Sequence, residues 1–154
     1  MEDQQQLPTA TAEVQDRIRA SFARQGLMAH LGAQLSHIGT GRVHIALPHR
    51  PEVTQQHGYI HAGATSAIAD SAGGYAALTC FPADTEVLTV EYKVNLLAPA
   101  AGDHLEAEGI VIKSGRTLTV CRLDVYASSG DQRTLIATGQ QTLICLPNPT
   151  TPTT

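Results

Sequence analysis

Residues 62–77, AGATSAIADSAGGYAA, constrain the fold more than any other stretch. Seven Ala, three Gly and two Ser fill 12 of these 16 positions. Alanine density favours a helix, although Gly73 and Gly74 each cost about 1 kcal/mol against Ala in a helix interior. A helix this small all round, with one charge, has to be buried and closely wrapped. The pattern therefore predicts a central helix over 62–77 with the other elements packed around it.

The remaining elements follow from periodicity. Thr11 is placed to cap a helix with Glu13 in its first turn, and Val14, Ile18 and Phe22 recur every four residues up to a stop at Gly26. Residues 31–47 read as a hairpin, with Val43, Ile45 and Leu47 alternating with polar neighbours after Gly39-Thr40-Gly41. Residues 48–61 read as a loop. Leu88–Val94, His104–Val111, Cys121–Val125 and Leu135–Leu146 alternate as strands, with turns at 98–102, 114–115 and 128–131. The expected order is helix, hairpin, central helix, then an antiparallel meander. This is an α+β fold, a curved antiparallel sheet wrapped around one buried helix. Polar residues 1–10 and Pro- and Thr-rich residues 147–154 read as flexible tails, leaving a single domain over 11–146.

Composition narrows the function classes. A formal charge of -4 argues against a nucleic-acid-binding or anionic-membrane-binding protein. No apolar run approaches the roughly 18 residues of a membrane span, and residues 1–12 lack the apolar core of a secretory signal. Cys80, Cys121 and Cys145 are odd in number, widely spaced and without a CxxC, which fits reduced thiols in a soluble cytoplasmic protein. Charged residues make up 16% of the chain, below the roughly 25% usual for a soluble domain. That deficit hints that some surface is covered in an oligomer.

Asp70 is the residue with the clearest chemical potential. Within residues 53–83 it is the sole charge among Lys, Arg, Asp and Glu. An ionised carboxylate in so apolar a stretch costs several kcal/mol unless it is partnered. It either caps or pairs with something distant, or it is held in a water-poor site as base or nucleophile. The second candidate feature is QQHGYIHAG, residues 55–63. His61 falls at the helix N-terminus, so the Ala62 and Gly63 amides are expected among its unpaired donors, suited to an oxyanion. Ala62 and Asp70 are eight residues apart, roughly 12 Å along a helix. A donor and a base must both lie about 3 Å from one reacting group, so one chain cannot supply both. Two antiparallel copies can, which makes a homodimer with two equivalent sites a requirement of the reading. His57 and His61 are spaced as an i,i+4 metal pair, but HGYIH lacks an internal Glu and a third ligand, so no metal is expected.

QQHGYIHAGATSAIADSAGGYAAL resembles the core motif of hotdog-fold acyl-CoA thioesterases of the phenylacetate-degradation (PaaI-like) group. That pattern is an amide residue, five residues, His, Gly-Gly, and an acid nine after the His; Gln55, His61, Ala62 and Asp70 stand at those places. VLTVEYKVNLLAPA and SGRTL are also similar to the family's sequence. The resemblance implies a hotdog fold, dimeric and often tetrameric, and hydrolysis of acyl-CoA with no metal and no cofactor beyond the CoA of the substrate. It also implies roles. The Ala62 N–H polarises the thioester carbonyl, with Gly63 beside it. Gln55, with Gln56 as the alternative, assists the carbonyl or water. Asp70 activates water or attacks directly, and Thr89 positions it. Lys113, Gly115, Arg116 and Thr117 lie near the CoA phosphates. Two departures are visible: Ala62 replaces the usual first Gly, and Gln55 takes a place often held by Asn. A hydratase or dehydratase of the same fold and a non-catalytic acyl-CoA-binding domain are the rival readings. The former lacks its usual proline-rich segment here, and the latter has no need of Asp70.

Overall fold

The computed structural model describes residues 7–148. Ten elements follow one another: α1 (Ala12–Phe22), α2 (Gly26–Leu31), β1 (Gln34–Gly39), β2 (Arg42–Pro48), a 3-10 turn (Pro51–Val53), α3 (Ala62–Leu78), β3 (Thr85–Leu96), β4 (His104–Ser114), β5 (Leu118–Ser129) and β6 (Gln132–Pro147). The six strands form one antiparallel sheet in the order β1-β2-β4-β5-β6-β3. This is the hotdog fold.

The small residues of α3 let it lie close to the sheet. A Cβ placed on Gly109 of β4 would come within 2.3 Å of the Ala72 backbone. Ile68, Ala72, Ala76 and Leu78 are buried against Val43, Ile45 and Leu47 of β2, Leu105 and Ala107 of β4 and Leu123 and Val125 of β5. The core is one contiguous cluster. Among the described residues no helix is long and apolar enough to cross a membrane. The three cysteines are unbonded, and burial pushes the Cys121 thiol up to about 12.

The expected elements are present, with three differences. Gly26 does not end the helical region; it starts α2, which stops at Gly32 with φ 73°, a left-handed position that glycine takes without strain. The loop 48–61 contains the short turn and a Thr54–Ile60 bridge. The C-terminal strands are not a full meander: β4, β5 and β6 are successive neighbours, but β3 pairs with β6 at the sheet edge and β4 lies beside β2. Residues 97–103 therefore cross over β5 and β6 rather than close a hairpin. Three strand spacings amount to roughly 14 Å, within reach of seven residues. Of the expected tails, residues 1–6 and 149–154 lie outside the described residues. Ala10 is buried and donates its N–H to Ile38 O, while β6 continues to Pro147 and Asn148 N–H bonds Asp84 O.

Candidate active site

Asp70 is half-buried on α3, with its carboxylate turned towards β3 and β6. No Lys or Arg pairs with it among the described residues. Its partners are neutral: Thr89 Oγ1 donates to Oδ1 at 2.7 Å and Gln141 Nε2 donates to the same oxygen at 2.5 Å. Thr89 reaches it from β3, where the register with β6 slips between Thr89 and Glu91. A bulge of this kind re-aims side chains and is common beside active sites. The carboxylate opens onto a cleft of about 360 Å³. Opposite it the wall is polar: Gln25 Nε2 donates to Tyr75 Oη at 2.8 Å, Ser71 Oγ donates to Gln25 Oε1 at 3.3 Å, and Ser21 Oγ lies 3.3 Å from Tyr75 Oη.

The histidine loop forms a second cleft, of about 400 Å³, lined by Gln55, Gln56, His61 and Ala62. His61 is the N-cap of α3, and its Nδ1 accepts the Gly63 N–H at 2.8 Å. This corrects the expectation of two open amides, because an imidazole nitrogen already satisfies Gly63. The Ala62 N–H has no acceptor among the described residues, and Ala62 is exposed. Gln55 is held by its loop: its N–H bonds Tyr59 O, and its Oε1 accepts the His57 N–H at 2.5 Å. That compact turn passes through Gly58 with φ 83°. Its amide nitrogen remains available to the cleft.

Lys113, Gly115, Arg116 and Thr117 are exposed at the β4–β5 turn and line neither cleft. One group of three among the described residues, His44, Glu106 and Glu108, has spacing that could hold a metal. It lies on the outer face of the sheet, away from both clefts, and Arg42 and Arg133 already neutralise its carboxylates. Desolvation by burial lowers the pKa of His44.

The two clefts share no lining residue. Thr89 and Asp70 belong to one, Gln55, His61 and Ala62 to the other. What joins them is β3, which borders the first at Glu86–Thr89 and the second at Leu96. Along it Leu88, Val90, Tyr92 and Leu96 are 47–60% exposed, and as the outermost strand it presents an unpaired backbone edge.

Sequence reasoning missed Gln141 and the wall residues Ser21, Gln25 and Ser71. For Gln141 a signal exists: Ala137, Gly139, Gln141, Leu143 and Cys145 alternate along one face of β6, so an amide interrupts an otherwise non-polar row. Ser21 and Gln25 carry none, because it is the α1–α2 junction that brings them to the cleft, whereas Ser71 follows Asp70 on α3.

The pattern of the thioesterase superfamily matches residues 57–134. A curated relative from Saccharolobus solfataricus, provisionally named an esterase, is 31% identical over 100 residues, 65% of this chain and 71% of the relative. A crystal structure of a thioesterase family protein from Silicibacter pomeroyi superposes with a TM-score of 0.85 at 44% identity, over 87% of this chain and 98% of that one. The PaaI protein of the E. coli phenylacetic acid degradation operon shares the fold, with a TM-score of 0.79 at 18% identity, over 88% and 95% of the two chains.

Proposed function

Because the chain belongs to the thioesterase superfamily and is a thioester hydrolase, we propose that it cleaves a small or medium acyl-CoA, or an aryl-CoA, at a site built from two copies. The observation that carries this reading is the division of the candidate residues between two clefts that meet the same open strand. Two β3 edges paired antiparallel about an axis near Tyr92 would bring the Thr89 end of one copy to the Leu96 end of the other. Such pairing satisfies the free edge and covers the exposed apolar side chains of β3. Each active site then takes Asp70 and Thr89 from one copy and Gln55, His61 and Ala62 from the other. Association of two dimers into a tetramer is compatible with this reading.

In that site the Ala62 N–H donates to the thioester oxygen as negative charge develops there, and the Gln55 amide assists it. His61 keeps the first turn of α3 in place by capping Gly63. Asp70 removes a proton from water as water adds to the carbonyl carbon, or its own oxygen adds and water later releases the acyl group. In either route the C–S bond breaks, a C–O bond forms, and CoA leaves as a thiol after taking up a proton. Lys113 and Arg116, with Gly115 and Thr117 shaping the turn, hold the CoA phosphates. No cofactor or metal enters the scheme.

Subunit complementation tests both parts of this reading. Asp70→Asn and Gln55→Ala proteins are each expected to release little thiol from acyl-CoA. When they are unfolded together and refolded at equal ratio, half the dimers are mixed, and each mixed dimer has one intact site. About a quarter of wild-type activity is then expected. Recovery indistinguishable from either parent would refute the shared site.

A further inference from the structure

Gln141 of β6 is 1% exposed. Its Nε2 lies 2.5 Å from Asp70 Oδ1, 3.1 Å from Asp70 O and 2.9 Å from Thr89 Oγ1. A carboxylate and a carbonyl only accept, so the amide's NH2 end has to face them and its orientation is fixed. By donating to the Thr89 oxygen, Gln141 also directs that hydroxyl's hydrogen towards Asp70 Oδ1. Oδ1 therefore receives two donors, whereas Oδ2 has none among the described residues.

The other end of the amide is informative too. Gln141 Oε1 is buried without a hydrogen-bond partner. A Cβ on Gly73 would come within 1.9 Å of that oxygen. So the first glycine of the Gly73-Gly74 pair makes the socket in which the amide sits. A leucine in the same place would leave no orphaned acceptor of its own, but would remove a donor to Asp70 and Thr89. An amide kept at the expense of an unpaired oxygen and a helical glycine needs a reason beyond packing.

We infer that Gln141 is a positioning residue for the hydrolysis, pinning Asp70 by Oδ1 and orienting Thr89 so that Oδ2 is the oxygen presented to water or substrate. The inference rests on the proposed role of Asp70. Glu86 of β3 and Tyr75 of α3 are the other titratable groups lining that cleft, and neither bonds the carboxylate, so Gln141 and Thr89 are its control points.

The experiment compares Gln141→Leu, Gln141→Glu and Gly73→Ala with wild type and Asp70→Asn. Its readouts are kcat, KM and the acid limb of the pH–rate profile. A hydrogen bond to a charged group is worth about 10–100-fold, and a fall of that size in kcat is expected for Gln141→Leu, with KM changed less than about threefold. Two donors to the carboxylate are weakened or lost, so the acid limb of the pH–rate profile should move to higher pH. Gln141→Glu, almost isosteric, places a second carboxyl against the first, and the acid limb should move to higher pH. Gly73→Ala fills the socket and should reproduce the kcat loss of Gln141→Leu even if the leucine variant fails to fold. Unchanged kcat and acid limb in folded Gln141 variants, with Asp70→Asn inactive, would overturn the assignment alone. Full activity in Asp70→Asn would instead remove the reading beneath it, and this assignment with it.

Discussion

The two clefts differ in how far the protein has already satisfied their polar groups. At Asp70 two neutral donors converge on one carboxylate oxygen, and they come from two strands. At Ala62 the cap is complete through His61 and Gly63, yet the first amide of the helix stays without an acceptor. One cleft is preorganised around a negative group, and the other leaves a donor waiting for one. Neither contains both halves of an acyl-transfer site. In the proposed dimer the exposed strand β3 between them is what would join a donor and a base that α3 holds apart.

Removing the carboxylate is the largest expected perturbation. Asp70→Asn keeps shape and both donor contacts but eliminates the base or nucleophile, and kcat should fall about 10²–10⁴-fold. Thiol release from a panel of acyl-CoAs under saturating conditions measures it. A loss below about threefold would make the Asp70 cleft a binding pocket and end the contrast drawn above.

Breaking the strand between the clefts comes next. Val90 and Tyr92 are 59% and 47% exposed on β3 and line neither cleft, so lysine at both positions leaves core and clefts unchanged. Charge on an edge opposes strand pairing. Val90→Lys/Tyr92→Lys is expected to sediment as a monomer with normal thermal stability and activity reduced at least about tenfold. A stable monomer with wild-type activity would show that one chain suffices.

The donors around Asp70 should matter less than the carboxylate. Thr89→Val removes the hydroxyl at 2.7 Å with little change of volume. Since Gln141 still holds Oδ1, a loss of about tenfold in kcat is expected, the low end for a hydrogen bond to a charged group. Should Thr89→Val equal Asp70→Asn, the hydroxyl itself contacts the reacting atoms.

What the chain revealed in advance followed local physics. The central helix was legible because nothing but a buried, wrapped helix suits so many small residues around one acid, and the Val43–Leu47 and Leu105–Val111 alternations fixed which faces look inward. Asp70 and Ala62 were legible because a lone charge and a helix N-terminus are local features. Strand order was not. Turn-like residues 98–102 say that the chain changes direction but not that it crosses two strands before pairing again. Gln141 lies 71 residues from Asp70, and its partner is set by sheet register, which only the folded sheet defines. The Gly73-Gly74 pair looked like a helix penalty until Gln141 filled the space beside it.

The smallest effect concerns the sheet's outer face and keeps the comparison of the clefts clean. Burial lowers the pKa of His44 below its ordinary value of 6.5, against opposing pulls from Glu108 and Glu106. His37, whose ring lies 5.0 Å from that of His44, is lowered by burial and by Arg42. In the unfolded chain both histidines take up protons near their ordinary pKa; in the folded protein they do so at lower pH. The unfolded state therefore binds more protons across that window, and stability falls as pH drops from about 6.5 through the lowered folded values. His44→Asn removes one of these protons, and urea denaturation midpoints between pH 7.5 and 5 should then decline less steeply than in wild type. An unchanged slope would mean that the outer histidines do not drive the acid response. An acid loss of activity that persists in His44→Asn at constant stability then belongs to the clefts and not to the outer face of the sheet.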